Sequence, residues 1–164
     1  MATQNVFQFL SVLCGGLMAG LLFGYSCSVN IGLKSLESNE YLKAMQSING
    51  AIQNPYFLTV FLYLLFILPV TSFLQYKEIA NASFYFILTA TVIYFVGVFG
   101  VTMFCNVPLN EQLARFDISR ATTNEIATMR QSFEKPWNYY HSIRTIASVI
   151  SFGLTILSVL KSKF

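Results

Sequence analysis

Four long runs of apolar residues alternate with polar connections along the chain, at about residues 6–29, 55–76, 79–105 and 136–160. Each run has at least ~20 residues, enough for a helix to cross a hydrocarbon core of ~30 Å. Because an open sheet leaves backbone groups unpaired in lipid, helices are the expected structure. The pattern predicts an all-α membrane protein, a single domain over residues 1–164 that folds as a bundle of four transmembrane helices.

The connections predict how the chain is arranged in the membrane. Two of them, about residues 30–54 and 106–135, are long, whereas only Lys77 and Glu78 separate the second and third runs. With four spans, both long connections lie on one side, and the termini and the short turn lie on the other. The first run is too long for a signal-peptide core and is expected to be retained. Basic residues occur on both sides, but those closest to the spans favour cytoplasmic termini.

Both long connections show signs of helical structure on the loop side. In the first, apolar residues recur at helical spacing: Leu42, Met45, Ile48 or Asn49, and Ile52. They follow Ser38 and Asn39, which are suitable cap residues. In the second, Thr122 and Glu125 match a capping box ahead of a short helix that is expected to stop before Pro136. We therefore expect short amphipathic helices at the mouth of the bundle or at the interface.

Three glycines in the first run, Gly16, Gly20 and Gly24, lie four residues apart. This spacing places them on one face of a helix, where another backbone can approach closely. Packing within the bundle is the ordinary explanation. The alternative is a homo-oligomer that forms through this face.

Composition supports the membrane assignment and excludes several functions. Hydrophobic residues make up 55% of the chain and charged residues only 10%, whereas soluble domains carry about 25% charged residues. The formal charge of +3 is scattered, so no basic patch indicates a nucleic-acid partner. Cys14, Cys27 and Cys105 form no CxxC pair, and we expect them to be small buried side chains.

Polar residues gather at the loop-side ends of all four runs. The set comprises Tyr25, Ser26, Ser28, Asn30, Asn49, Asn54, Asn106, Asn110, Trp137, Asn138, His141 and Arg144. The opposite end is expected to hold no comparable collection. Asn106 and Asn110 flank Pro108, near which the third span should end, and capping is their ordinary role. Other aromatic residues, such as Phe57 and Tyr139, are expected in an interface belt.

The fourth run carries the strongest functional signal. Trp137, His141, Arg144 and Ser148 are spaced so that they form one stripe along a helix. An ionisable side chain inside a span is unfavourable unless it faces protein or water, so His141 and Arg144 are candidate catalytic residues. Arg144 could instead reach the headgroups, and His141 could be purely structural.

Other classes of site find little support. A single histidine without an acidic cluster does not make a metal site, and we expect neither a metal nor a cofactor. The alternative is a haem with His141 as its single axial ligand, which no other residue supports. Neither a glycine-rich phosphate loop nor a dinucleotide fingerprint is present. The chain also lacks the internal repeat that is typical of transporters.

Four stretches carry a family resemblance: FGYSCSVNIGL (Phe23–Leu33), INGAIQNPYF (Ile48–Phe57), NVPLN (Asn106–Asn110) and FEKPWNYYHSIRT (Phe133–Thr145). In this order, and over nearly the whole chain, they resemble the anthrone oxygenase-like membrane proteins. The resemblance implies oxidation of an anthrone to an anthraquinone by O₂ without a metal or flavin. The expected partners are the lipid bilayer, an apolar aromatic substrate and O₂, with no nucleic acid.

The resemblance also suggests roles for the candidate residues. His141 would be the base that removes the acidic C–H proton, because its ordinary pKa is about 6.5. An oxyanion would be held by Arg144, Asn106 and Asn138, and Tyr25 and Trp137 would stack on the rings. The candidate substrate-binding residues are Tyr25, Asn49, Asn54, Asn106, Asn110, Trp137 and Asn138. The alternative is a non-enzymatic membrane protein that binds a small molecule or assists another protein.

Overall fold

The computed structural model describes residues 2–76 and 82–162, whose regular structure is entirely helical. The helices are α1 (Thr3–Lys34), α2 (Ser38–Ala51), α3 (Pro55–Tyr76), α4 (Ala82–Ala114) and α5 (Thr123–Lys161). All except α2 are long and apolar enough to cross a membrane. The expected four-helix membrane bundle is therefore confirmed. The expected short turn at Lys77 and Glu78 lies outside the described residues.

The four long helices form a ring in which α1 and α4 each pack against both α3 and α5. Their shared core contains Met18 of α1, Leu64 and Leu68 of α3, and Ile87 and Tyr94 of α4, all of them buried. Removing such side chains from water stabilises a soluble core, but in lipid the gain comes mainly from close packing and hydrogen bonds between helices. The ring leaves a central space at its loop-side end.

The glycine face of α1 is only partly used within the chain. A Cβ atom added at Gly16 would lie 3.2 Å from the ring of Phe152 on α5. Gly16 therefore packs inside the bundle, as the ordinary explanation requires. A Cβ atom added at Gly20 or Gly24 would meet no other helix within 4 Å among the described residues, and the homo-oligomer stays a prediction.

The end of the bundle opposite the loops is more polar than expected. Buried there and along the helix contacts are Gln8, Ser11, Thr71, Ser72, Gln75, Ser83, Thr91, Ser151, Thr155 and Ser158. The Ser83 hydroxyl donates to Oε1 of Gln75 over 2.6 Å, and Ser11 and Thr71 share a hydrogen bond of 2.9 Å. The expectation that this end lacks a polar collection is wrong, because small hydroxyls fit between closely packed helices and bond across them.

Two prolines that were expected to end helices do not. Pro108 lies in the first turn of the α-helical segment Val107–Ala114, which follows directly on a π-helical turn at Thr102–Asn106. A proline in a first helical turn has no N–H that the helix needs. α4 therefore continues past Cys105 to Ala114.

Pro136 also lies inside a helix, since α5 is continuous from Thr123 to Lys161. The expected short helix that stops before Pro136 is wrong. A proline within a helix loses one backbone hydrogen bond but keeps a compatible φ. Phe133 and Trp137, on either side of it, are 1% and 3% exposed, and this burial holds the helix together.

The loop-side cap consists of α2 and the first turns of α5. The capping box of Thr122 and Glu125 is confirmed, whereas α2 is preceded by Glu37 as its cap residue rather than by Ser38 or Asn39. Arg130 of α5 binds Glu134 over 2.7 Å and donates to the carbonyl oxygen of Leu36 over 2.6 Å. The Arg130 guanidinium also lies 4.6 Å from the centre of the Tyr41 ring, and this contact holds α2 over the open end of the ring.

Candidate functional site

A cavity of about 600 Å³ occupies the loop-side end of the ring, beneath α2. Ligand sites usually measure about 300–1,000 Å³ and are mostly apolar with a few polar groups. The apolar part of its wall includes Leu22, Ile48, Phe57, Phe61, Met103 and Val107, and its polar part includes Asn49, Asn54, Asn110, Glu111, His141 and Arg144. The cavity therefore has the character of a site for an apolar molecule with a few oriented polar groups.

Both ring nitrogens of His141 have hydrogen-bond partners. The side chain is 1% exposed, and its Nε2 lies 2.9 Å from the hydroxyl of Ser26 on α1. Its Nδ1 accepts a hydrogen bond from Nε of Arg144 over 3.1 Å. Because an arginine N–H can only donate, Nδ1 carries the lone pair and the hydrogen of the neutral ring lies on Nε2. The position of this hydrogen is an inference from the bonding partners.

Aromatic rings fix the plane of His141. The Trp137 ring stacks on it, with centroids 5.1 Å apart and planes 14° from parallel. The Tyr25 ring meets it edge-on at 5.0 Å, and the Tyr25 hydroxyl donates to the sulfur of Met45 over 3.3 Å. The three rings form an aromatic wall on which a flat ligand can lie.

Arg144 brings a positive charge to this wall. Its guanidinium carbon lies 5.2 Å from the centre of the Trp137 ring. No carboxylate pairs with Arg144 among residues 2–76 and 82–162; the ion pairs in these ranges involve Arg115, Arg120 and Arg130. A guanidinium in an apolar cavity without a carboxylate partner is a strong attractor for an anionic oxygen.

Two asparagines act on Trp137 rather than as helix caps. Asn110 accepts a hydrogen bond from the indole Nε1 of Trp137 over 2.7 Å. Asn106, which is fully buried, donates to the Trp137 carbonyl oxygen over 3.2 Å. The prediction that they cap the end of the third span is wrong, because α4 does not end at Pro108. Together they hold Trp137 in place against His141.

The candidate residues divide into those that line the cavity and those that do not. Lining it are Tyr25, Asn49, Asn54, Asn110, Trp137, His141 and Arg144. Asn106 and Asn138 lie outside the wall, and the side-chain oxygen of each is buried without a hydrogen-bond partner. Neither residue is positioned to hold a substrate oxyanion in this arrangement.

The two asparagines on the loop side have different roles. Asn54 caps α3, since its side-chain oxygen accepts from the backbone N–H of Phe57 over 3.0 Å. Asn49 is 7% exposed and its Nδ2 has no hydrogen-bond partner. A buried amide without partners is unfavourable, so Asn49 is a further polar group available near the cavity.

Sequence reasoning missed several parts of the wall. Phe57 and Phe61 stack on one another at 5.3 Å and line the cavity, although Phe57 was expected in the interface belt. Thr145 lies 3.2 Å from the Ser26 hydroxyl and supports the bond to His141. A threonine one turn from a histidine carries no signal of its own, and the sequence does not distinguish an inward-facing phenylalanine from a lipid-facing one.

Widened helical turns surround the cavity. π-Helical turns occur at Tyr25–Val29, Tyr94–Gly100 and Thr102–Asn106. Tyr25 and Thr102, which begin two of these turns, both line the cavity. Such turns are rare and frequently occur at functional sites.

Metal-binding groups do not cluster in the described part of the chain, where no three His, Cys, Asp or Glu side chains lie together. The three cysteines are free, and Cys27 is exposed rather than buried as expected. The polar groups at this cavity are therefore those of His141, Arg144, Glu111 and the neighbouring amides and hydroxyls.

Comparison with known proteins agrees with the resemblance. No curated protein and no solved structure matches the chain. The profile of the anthrone oxygenase family matches residues 56–154, which is more than half of the 164 residues. The match includes α3, α4 and the part of α5 that carries Trp137, His141 and Arg144. This multi-pass membrane protein belongs to the anthrone oxygenase family.

Proposed function

We propose that the protein is a membrane-embedded, cofactor-independent oxygenase that acts on a flat, apolar, enolisable ketone such as an anthrone. The observation that carries this proposal is the guanidinium of Arg144, which faces a largely apolar cavity beside His141 and pairs with no carboxylate in the described part of the chain. Membership of the family supports oxygenase chemistry. The apolar wall and the aromatic rings support a flat hydrophobic substrate.

The reaction converts a methylene group to a carbonyl group. A base removes one proton from the C–H bond that lies between the aromatic rings, and the electron pair stays in the anion. O₂ takes up this pair as the new C–O bond forms, and protonation gives a hydroperoxide. Loss of water from the hydroperoxide leaves the ketone, so that CH₂ and O₂ become C=O and H₂O. The electrons come from the substrate anion.

Arg144 is the proposed stabiliser of the substrate anion. In the anion the charge lies largely on the oxygen of the former ketone, and a fixed guanidinium favours this state over the neutral ketone. Its Nε is bound to His141, and the remaining N–H groups are available for the substrate oxygen. A charge–oxygen contact in an apolar cavity is stronger than in water.

His141 is the proposed base, but only after a change of partner. Its Nδ1 lone pair is occupied by Arg144 in the ligand-free cavity. A substrate oxygen that takes over Arg144 would release Nδ1, which could then accept the substrate proton. The hydrogen bond between Nε2 and Ser26 would hold the ring in place while the proton is transferred. Base and anion stabiliser would thus become active together when substrate binds.

One observation favours the alternative, a non-enzymatic protein that binds a small molecule. Both ring nitrogens of His141 have partners within the chain, which is typical of a structural histidine. The cavity itself serves a binding protein equally well. The two functions differ in whether O₂ is consumed.

The test measures O₂ uptake by the purified protein in lipid vesicles with anthrone, after exhaustive metal chelation. We expect one O₂ to be consumed for each anthraquinone formed, at a rate above that of protein-free vesicles and of the Arg144→Ala protein. Saturable anthrone binding without a rate above these two backgrounds would establish the binding protein instead.

A further inference from the structure

Some residues of the cavity wall are also exposed on the outer surface of the bundle. Leu21 of α1, Leu58 of α3 and Met103 of α4 line the cavity and are 44%, 38% and 41% exposed. Exposed side chains of the wall mark where the cavity is open: Gln53 and Glu111 mark a polar opening on the loop side, and the three apolar residues mark an opening at the side. These three residues, which we call the side rim, surround the first turns of α3.

The way α3 is tied to its neighbours explains this opening. Towards its far end, Thr71 bonds Ser11 of α1 over 2.9 Å, and Ser72 bonds Thr91 of α4 over 3.0 Å. Towards the loops, the last such tie within the described chain is the Tyr94 hydroxyl, which donates to the carbonyl oxygen of Phe61 over 2.9 Å. From Pro55 to Val60, no hydrogen bond joins α3 to α1 or α4 in the described residues.

The depth of the side rim places it in the hydrocarbon layer. α3 has 22 residues, and at 1.5 Å per residue this is ~33 Å, close to the ~30 Å of a hydrocarbon core. Leu58 follows Pro55 by one helical turn and therefore lies just inside the boundary. The nearby outer surface is apolar as well, since Phe104 of α4 is 82% exposed and Leu62 of α3 is 43% exposed.

The opposite wall of the cavity faces the aqueous side. It contains Asn49 of α2, Gln53 and Asn54 in the connection that follows α2, and Glu111 on α4, whose exposed carboxylate binds Arg115 at 3.5 Å. A water-soluble ligand would enter past these polar groups beneath the cap. A ligand dissolved in lipid meets only leucine and methionine at the side rim.

We propose that the cavity opens sideways into the bilayer at the side rim and takes its ligand from the lipid. The ligand class is a flat aromatic molecule that partitions into membranes and carries an oxygen acceptor for Arg144. Without such a ligand, the ends of lipid acyl chains reach the cavity. This route goes beyond the proposed oxygenase activity, because it holds equally for a binding protein.

The single tryptophan of the chain provides the test. Trp137 lines the cavity and is 3% exposed, so a quencher reaches it only through the cavity. The protein is reconstituted in vesicles of lipids with brominated acyl chains, and its fluorescence is compared with that in unbrominated vesicles. Aqueous iodide is added in a parallel series. We expect strong quenching by the brominated chains and weak quenching by iodide.

A variant with a narrowed side rim, Leu21→Phe, Leu58→Phe and Met103→Phe, should lose at least half of the quenching by brominated chains. Its matched control carries phenylalanine at exposed positions of the same helices that do not line the cavity: Leu17→Phe, Leu62→Phe and Val96→Phe. The control should be quenched like the wild type. If the triple variant does not fold, Leu58→Phe alone takes its place, and it should lose part of the quenching by brominated chains.

Equal quenching of the narrowed variant and the control by brominated chains would overturn the proposal. So would quenching of the wild type by iodide alone. Neither outcome depends on turnover, so a failure here and a failure of the oxygenase proposal are distinguishable.

Discussion

Arg144 donates its Nε–H to Nδ1 of His141 over 3.1 Å, one helical turn apart on α5. The two candidate catalytic side chains are thus directly joined in the ligand-free cavity. Substitutions at residues in direct contact are generally not additive. We therefore expect the loss of activity in a His141→Ala, Arg144→Ala double variant to be smaller than the product of the two single losses.

Replacement of the base tests the central role of His141. His141→Ala should slow turnover by ~10²–10⁴, the usual contribution of a positioned general base. Ser142→Ala is the matched control, because this exposed neighbour bonds only the Asn138 carbonyl and does not line the cavity. A His141→Ala rate equal to that of the wild type would make His141 structural, and the base would have to be sought at Glu111, at Glu134 or in the substrate.

Replacement of the cation tests the stabilisation of the anion. Arg144→Ala should lower the turnover rate by ~10²–10³, as for the loss of one group that stabilises an oxyanion. Arg144→Lys should restore only part of this rate, because an ammonium keeps the charge but lacks the planar fork of donors. Full activity of Arg144→Ala in a steady-state assay would remove Arg144 from the mechanism.

The bond between Asn110 and Trp137 predicts a cost in stability. Asn110→Ala leaves the buried indole N–H without its partner, which should lower the free energy of unfolding by ~1–3 kcal/mol. Asn110→Ala combined with Trp137→Phe removes the unpaired group, so the further loss on adding Asn110→Ala to Trp137→Phe should be small. Thermal unfolding of the four proteins in one detergent measures the cycle. An equal loss from Asn110→Ala in both backgrounds would rule out this explanation.

The close contact between α4 and α5 depends on a glycine. A Cβ atom at Gly97 would lie 2.6 Å from the Cβ of Ala147, so Gly97→Ala should lower the free energy of unfolding by ~1–3 kcal/mol. Ala147→Gly in the same chain should recover most of this loss. At Gly153 an added Cβ meets nothing within 4 Å, and Gly153→Ala is the neutral control. Equal melting temperatures of Gly97→Ala and Gly153→Ala would refute the contact.

The topology of the chain in a membrane is a separate prediction. Four spans place both termini on one side, and the lysines nearest the spans favour the cytoplasm. Reporter proteins fused to either end should therefore both be active as cytoplasmic reporters. Opposite locations would exclude an even number of spans. Two external termini would reverse the orientation and leave the bundle unchanged.

Much of the fold followed from simple sequence patterns. Long apolar runs gave the four helices because lipid leaves the backbone no alternative, and the polar residues at one depth pointed to the end that holds the cavity. His141 and Arg144 were identified because an ionisable side chain within a span is unfavourable unless it faces protein or water. The helix ends expected at Pro108 and Pro136 were wrong. Pro108 lies in a first helical turn, and packing around Phe133 and Trp137 outweighs the local preference of Pro136.

Other features could not be derived from one sequence. Serine and threonine side chains can hydrogen-bond the backbone of their own helix, as Thr71 does to the Ile67 carbonyl over 2.7 Å. The sequence therefore does not show whether such a hydroxyl is buried between helices or lies on the surface. The Gly97 contact depends on which helices are neighbours. The cavity depends on how α2 and the four long helices pack together, which is a property of the assembled bundle rather than of any segment.

The unbroken course of α5 past Pro136 has a mechanical consequence. Its 39 residues make a rod of ~58 Å, about twice the ~30 Å of the hydrocarbon layer. Near one end of this rod, Arg130 contacts the ring of Tyr41 on α2, and His141 and Arg144 lie farther along it. A movement that tilts the cap should therefore also displace His141 and Arg144. A change in bilayer thickness that tilts α5 should likewise move the cap.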